Sequence, residues 1–127
     1  MNRAVHGTGT RRRVLRRLVS AGFAGWGAAQ LLRPAEVTRA VCAGRRQPPA
    51  WVTQVLGARM VGQHVAVLVR PTRAVVLTGV AVDLLHALSM VPVAVWWPAY
   101  RRPAVVSGGT SAAAAVLGAA AAARAER

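Results

Sequence analysis

The sequence predicts an all-α protein, a four-helix transmembrane bundle, and three observations carry that expectation. Apolar residues make up 54% of a 127-residue chain whose formal charge is +14, so charge and apolar surface must be kept apart. All 17 basic residues are arginine, and only Arg59 stands inside a long apolar stretch; four stretches near bilayer-crossing length alternate with breaks bearing arginine and proline. Finally, Arg59 lies eleven residues before Arg70, and Asp83 lies ten after Arg73. Helices folded back at Arg70-Pro71-Thr72-Arg73 bring these two charges to one depth, about 15 Å from the turn at roughly 1.5 Å per residue, near the bilayer centre.

Residues 1–17 read as a basic cytoplasmic tail, with Arg3, Arg11, Arg12, Arg13, Arg16 and Arg17 and no acid, attracted to anionic lipid headgroups. Residues 18–127 read as a single membrane domain. Its first span, 18–32, is short and rich in small residues, and Val14 and Leu15 lengthen it if Arg16 and Arg17 snorkel. Residues 33–47 hold Pro34, Glu36 and four arginines, a loop or short surface helix. Pro48-Pro49 opens the second span, 50–69, because proline is tolerated in a first helical turn, and Pro71 makes the turn that follows. The third span, 74–97, is the longest apolar run, with Pro92 expected to kink or loosen its end. Tyr100-Arg101-Arg102-Pro103 breaks the pattern before the fourth span, 104–123, mostly alanine, whose Gly108–Ala112 and Ala114–Gly118 spacings permit close backbone approach.

Four spans place the amino terminus, the Arg70–Arg73 turn and the carboxyl terminus on one side, with ten arginines against six on the other. The positive-inside bias makes that side cytoplasmic in a multi-pass protein of the cell membrane. Trp51, Trp96, Trp97 and Tyr100 then gather at the opposite interface as anchors, where amphipathic rings prefer to lie. An alternative treats Thr10-Arg11-Arg12-Arg13-Val14-Leu15-Arg16 as a twin-arginine export signal, with the first span cleaved. The residues near Cys42 and Ala43 make a poor cleavage site for it.

A charged side chain at a helix centre costs about 2.5–3.5 kcal/mol in a bilayer, so Arg59 and Asp83 are expected to face each other rather than lipid. Gln63 shares a helical face with Arg59, and His86 and Met90 share one with Asp83, with Gly62 and Gly79 thinning the wall nearby. The expected intramembrane polar cluster is Arg59, Gln63, Asp83 and His86. Its first reading is a clamp that fixes the hairpin. A second is a ligand site or proton relay, and a third is an ion pair between copies of a homo-oligomer or with a membrane partner.

Several chemistries find no support. Cys42 is the sole cysteine, excluding an intrachain disulfide and a thiolate metal cage. His64 and His86 differ in depth by about 10 Å at helical rise, and His64 is expected to point away from the Arg59 face, so no haem, metal or other cofactor is predicted. No glycine-flanked nucleophilic serine, phosphate loop or carboxylate pair occurs, and Ser89 reads as a packing hydroxyl; the expectation is that the protein is not an enzyme. Nor is nucleic acid the expected partner, because the arginines are dispersed among breaks and the aromatics sit where a membrane interface belongs.

Alanine, valine, glycine, proline and arginine dominate, lysine and isoleucine are missing, and this usage points to a GC-rich bacterial genome. Leu56-Gly57-Ala58-Arg59 with Gln63, followed by Val82-Asp83-Leu84-Leu85-His86-Ala87 and Ser89-Met90, resembles a pattern in small uncharacterised integral membrane proteins of high-GC Gram-positive bacteria. The resemblance covers residues 50–103 and implies four spans with a role for Arg59 and Asp83, but no activity. The expected function is a non-enzymatic structural or accessory membrane protein, with a small transporter or ligand-binding bundle using Asp83, His86 and Arg59 as the alternative.

Overall fold

The computed structural model describes the backbone of residues 3–124 and side chains from residue 9 onward; the Arg3 side chain and residues 125–127, which enter the arginine count, lie outside the described residues. The fold is all-helical: α1 (Arg3–Leu32), α2 (Pro34–Cys42), α3 (Ala50–Val69), α4 (Arg73–Trp96), a 3-10 turn (Pro98–Tyr100) and α5 (Arg101–Arg124). Thr72 caps α4 by accepting a hydrogen bond from the Val75 N–H, which starts the helix directly after the Pro71 turn. Helix α4 continues through Pro92 to Trp96.

Among the described residues three helices, not four, are long and apolar enough to cross a membrane: Ala50–Val69, Arg73–Trp96 and Pro98–Arg124. The expected first span falls short because Arg16 and Arg17 enter its apolar window and Gly, Ala and Gln30 dilute the rest. The basic segment and the apolar stretch that follows it form one continuous helix from Arg3 to Leu32. The break at 33–47 contains α2, which ends with Ala43 and Gly44 at φ +47° and +82°; the left-handed backbone stops the helix.

The polarity of the fold is inverted relative to a water-soluble protein. Its most buried side chains are Asp83, Cys42 and Ser111, whereas Leu85, Leu88, Val91, Val95, Val105 and Val116 are exposed. An apolar exterior around a small-residue and polar interior is what a lipid-facing bundle needs.

Helix pairing also departs from expectation. The sequence places α3 against α4 as a hairpin, but the intimate pairs are α1 with α3 and α4 with α5. Gly27 and Gly57 form the first crossing: a Cβ on Gly57 would stand 2.5 Å from the Gly27 carbonyl oxygen. On the second, a Cβ on Gly108 would stand 2.9 Å from the Met90 Cβ and one on Gly118 2.8 Å from Val80. Glycine opposite glycine lets α1 and α3 approach closely, whereas Gly79 of α4 meets the long Gln63 side chain of α3. Of the two expected small-residue pairs, Ala114–Gly118 lies on the packed side, while Ala112 is exposed beside buried Gly108.

Candidate functional site

Polar side chains fill the space that separates the two helix pairs. Buried stripes on each helix bring them there: Thr53, Gly57, Met60 and His64 on α3, Val76, Gly79 and Asp83 on α4, and Ala104, Gly108, Ser111 and Ala115 on α5, all at helical spacing. Asp83 is 1% exposed. Arg59 donates from Nη1 to Asp83 Oδ1 at 3.1 Å and from Nη2 to Ser111 Oγ at 3.0 Å. Gln63 Nε2 donates to the Gly79 carbonyl at 3.3 Å and to Asp83 Oδ2. The carboxylate therefore has both oxygens engaged, and one guanidinium joins α3 to α4 and α5 together. Charge-assisted bonds of this kind are the strong ones where water is scarce.

His86 lies elsewhere. Its Nε2 meets Ser107 Oγ at 2.8 Å, and its carbonyl accepts from Ser89 Oγ at 2.7 Å, so its bonds tie α4 to α5 and to itself. His64 faces a different neighbour from Arg59: it is buried against α1, stacked on Phe23 with ring centroids 5.0 Å apart. Neither of its ring nitrogens, nor Gln63 Oε1 nor Arg59 Nε, has a hydrogen-bond partner among the described residues. Gly79 does thin the wall, with Gln63 lying 3.4 Å from where its Cβ would be; Gly62 faces open space.

A cavity of about 250 Å³ reaches Gln63, His64 and Asp83. It is lined by Val19, Phe23, Val67, Val76, Val80 and Leu117, and by Arg12, Arg13, Arg16 and Arg124. Arg16 and Arg17 also border Pro71, so the basic part of α1, the α3–α4 turn and the end of α5 share one face. A second, smaller cavity of about 70 Å³ lies toward the other end of the helices, among Gln30, Thr38, Thr53, Arg59, Ser107, Thr110 and Ser111. No sequence pattern pointed to it, because its hydroxyls come from three helices and none is unusual alone.

At that far end, Thr38 and Thr53 share a 2.9 Å hydrogen bond between α2 and α3, and Arg102 Nε donates to the Val41 carbonyl at 2.7 Å. Arg46 lies over the Tyr100 ring at 5.8 Å. These contacts put the start of α3 and the end of α4 at one level, where Trp51, Trp96 and Trp97 are exposed. Cys42, the last residue of α2, is buried; burial pushes its thiol above the ordinary range, with Arg102 pulling it back in part. Among the described residues no three His, Cys, Asp or Glu side chains converge as a metal site. No family model, curated protein or solved structure matches the chain.

Proposed function

We propose that this is a membrane-embedded binding or transport protein whose site is the cavity that reaches Asp83. The carrying observation is that Gln63, His64 and Asp83, several apolar side chains and four arginines line one 250 Å³ space. Pockets of this sort use apolar surface for contact and a few converging polar groups for orientation. Buried ionisable groups within spans are expensive unless they serve a purpose or neutralise each other. His64, buried and unpartnered at both ring nitrogens, borders this cavity, and its hydrogen-bonding capacity serves no internal contact among the described residues. The relevant polar set becomes Arg59, Gln63, His64 and Asp83, with His86 outside it.

Four helices cross the bilayer in this reading, although α1 is too polar to qualify alone. Gly27 against Gly57 and Phe23 against His64 support it: α1 runs the length of α3 and shields its polar side from lipid. The shared arginine face is cytoplasmic by the positive-inside bias. This packing also argues for α1 as a retained part of the fold rather than a cleaved export signal.

A structural reading keeps one specific observation in its favour. Arg59, Gln63 and Asp83 bridge helix pairs that otherwise touch little, which is what a clasp does. Cysteine accessibility separates the two. In a Cys42→Ser background, Val76→Cys lies in the cavity and Leu88→Cys on the exposed face. A water-soluble methanethiosulfonate is expected to modify Val76→Cys and spare Leu88→Cys in membranes. If Val76→Cys is inert in folded protein, the space is dry and the polar cluster is a clasp.

A further inference from the structure

The Arg59–Asp83 pair divides the interior. The 250 Å³ cavity touches Asp83 and not Arg59; the 70 Å³ cavity touches Arg59 and not Asp83. Along α3 the first is bordered by Gln63 to Val67 and the second by Val52 to Met60. Along α5 the first is bordered by Ala114 to Arg124 and the second by Pro103 to Ser111. The spaces succeed each other along α3 and α5, and the 3.1 Å ion pair joins Asp83 at the border of one to Arg59 at the border of the other.

We propose that the two cavities are the halves of a passage for a small monovalent anion, closed in this conformation by Asp83. The proposal rests on reading the first cavity as a binding site and assigns its ligand class. Field and donors select the sign. Arg12, Arg13, Arg16 and Arg124 line the first cavity, and among the described residues Asp83 is the only acid bordering either one. In the second, Arg59 is the only charged residue, Ser111 supplies a hydroxyl at its side, and Arg59 Nε has no partner. A cation meets arginine in both halves, whereas an anion meets donors and a favourable potential. Volume selects the size. At about 30 Å³ per water, the second cavity holds roughly two waters, room for one partly dehydrated inorganic ion and not for an organic acid.

Asp83 occupies the place on Arg59 that such an anion needs. A proton taken up by Asp83 from the first cavity neutralises the carboxylate and frees the guanidinium to hold the anion. One proton and one anion enter together, so the charge of the cluster is unchanged; release toward the other side restores the ion pair. The charged and titratable groups facing this step are Arg59 and His64 from α3, Arg12, Arg13 and Arg16 from α1, Arg124 from α5, and His86 one turn along α4.

Purified protein in liposomes, with chloride as probe, tests this. A chloride gradient is expected to carry protons with it, read by an entrapped pH dye, and faster as external pH falls. Asp83→Asn is expected to pass chloride without protons once potassium and valinomycin clamp the voltage, and Arg59→Gln to pass neither. A second measurement covers misfolding, because Asp83→Asn leaves Arg59 without its counter-ion. The melting temperature of that variant is expected to rise with chloride over gluconate at equal ionic strength, through preferential binding to the folded state. Chloride-dependent melting without flux in either protein overturns the passage and leaves the binding site standing. Proton movement indifferent to chloride overturns the anion, and neither flux nor chloride-dependent melting overturns the whole proposal. Failure of Val76→Cys to label is the separate result that removes the binding reading beneath it.

Discussion

Asp83 and Arg59 illustrate how little a buried charge pair reveals until its neighbours are known. Removing one member leaves the other uncompensated, so Asp83→Ala is expected to lose about 3–5 kcal/mol of stability, measured by thermal unfolding in detergent. Exchanging the charges, Arg59→Asp with Asp83→Arg, is expected to recover much of that loss and none of the transport, since the guanidinium then borders the wrong cavity. Cys42 gives a second residue-scale expectation. Its raised thiol pKa and complete burial keep the thiolate scarce, so at pH 8 maleimide is expected to react far more slowly with folded than with unfolded protein. Equal rates would show that the fold does not bury it. The matched spacing of Arg59 and Asp83 around Pro71 made their meeting legible from the chain alone. Ser111, which completes the arginine's bonds, was hidden in an alanine-rich run where nothing marks one serine above another. For His64, helical phase gives a direction away from Arg59 but not which neighbour waits there; the neighbour is Phe23 of α1.

At the scale of helices, glycine placement decides which surfaces join. Gly57→Ala drives a methyl into the α1 backbone and Gly108→Ala one into Met90, and both are expected to unfold the protein at clearly lower temperature. Gly62→Ala and Gly109→Ala, with nothing within 4 Å, are expected to be neutral or slightly stabilising, since alanine favours the helix by about 1 kcal/mol. A scan in which all four behave alike would contradict the pairing of α1 with α3 and α4 with α5. Span boundaries were readable from hydropathy, proline and arginine, but partner choice was not. Sequence adjacency favours α3 with α4 across a tight turn, and only three-dimensional proximity shows that Gly27 and Gly57 fit together more closely.

For the whole molecule, the outward display of Leu85, Leu88, Val91 and Val95 with Asp83 and Ser111 inside is compatible with a lipid solvent. High salt and carbonate are therefore expected to leave the protein in the membrane fraction; ready extraction would mean that the arginine face, not the apolar surface, does the binding. The hydropathy of the chain made this inversion visible early, whereas the cavities depend on gaps between helices that no linear pattern encodes.

The loose seam between the helix pairs also makes the protein divisible. A cut at Pro71 severs neither the α1–α3 nor the α4–α5 contact; across that seam it leaves mainly the hydrogen bonds of Arg59 and Gln63 and the tether of α2 to α5. Residues 1–70 and 72–127 expressed as separate polypeptides are expected to find each other in the membrane and co-purify, and Asp83→Ala in the second fragment to abolish the association. A lone carboxylate then becomes an address by which one half of a protein recognises the other.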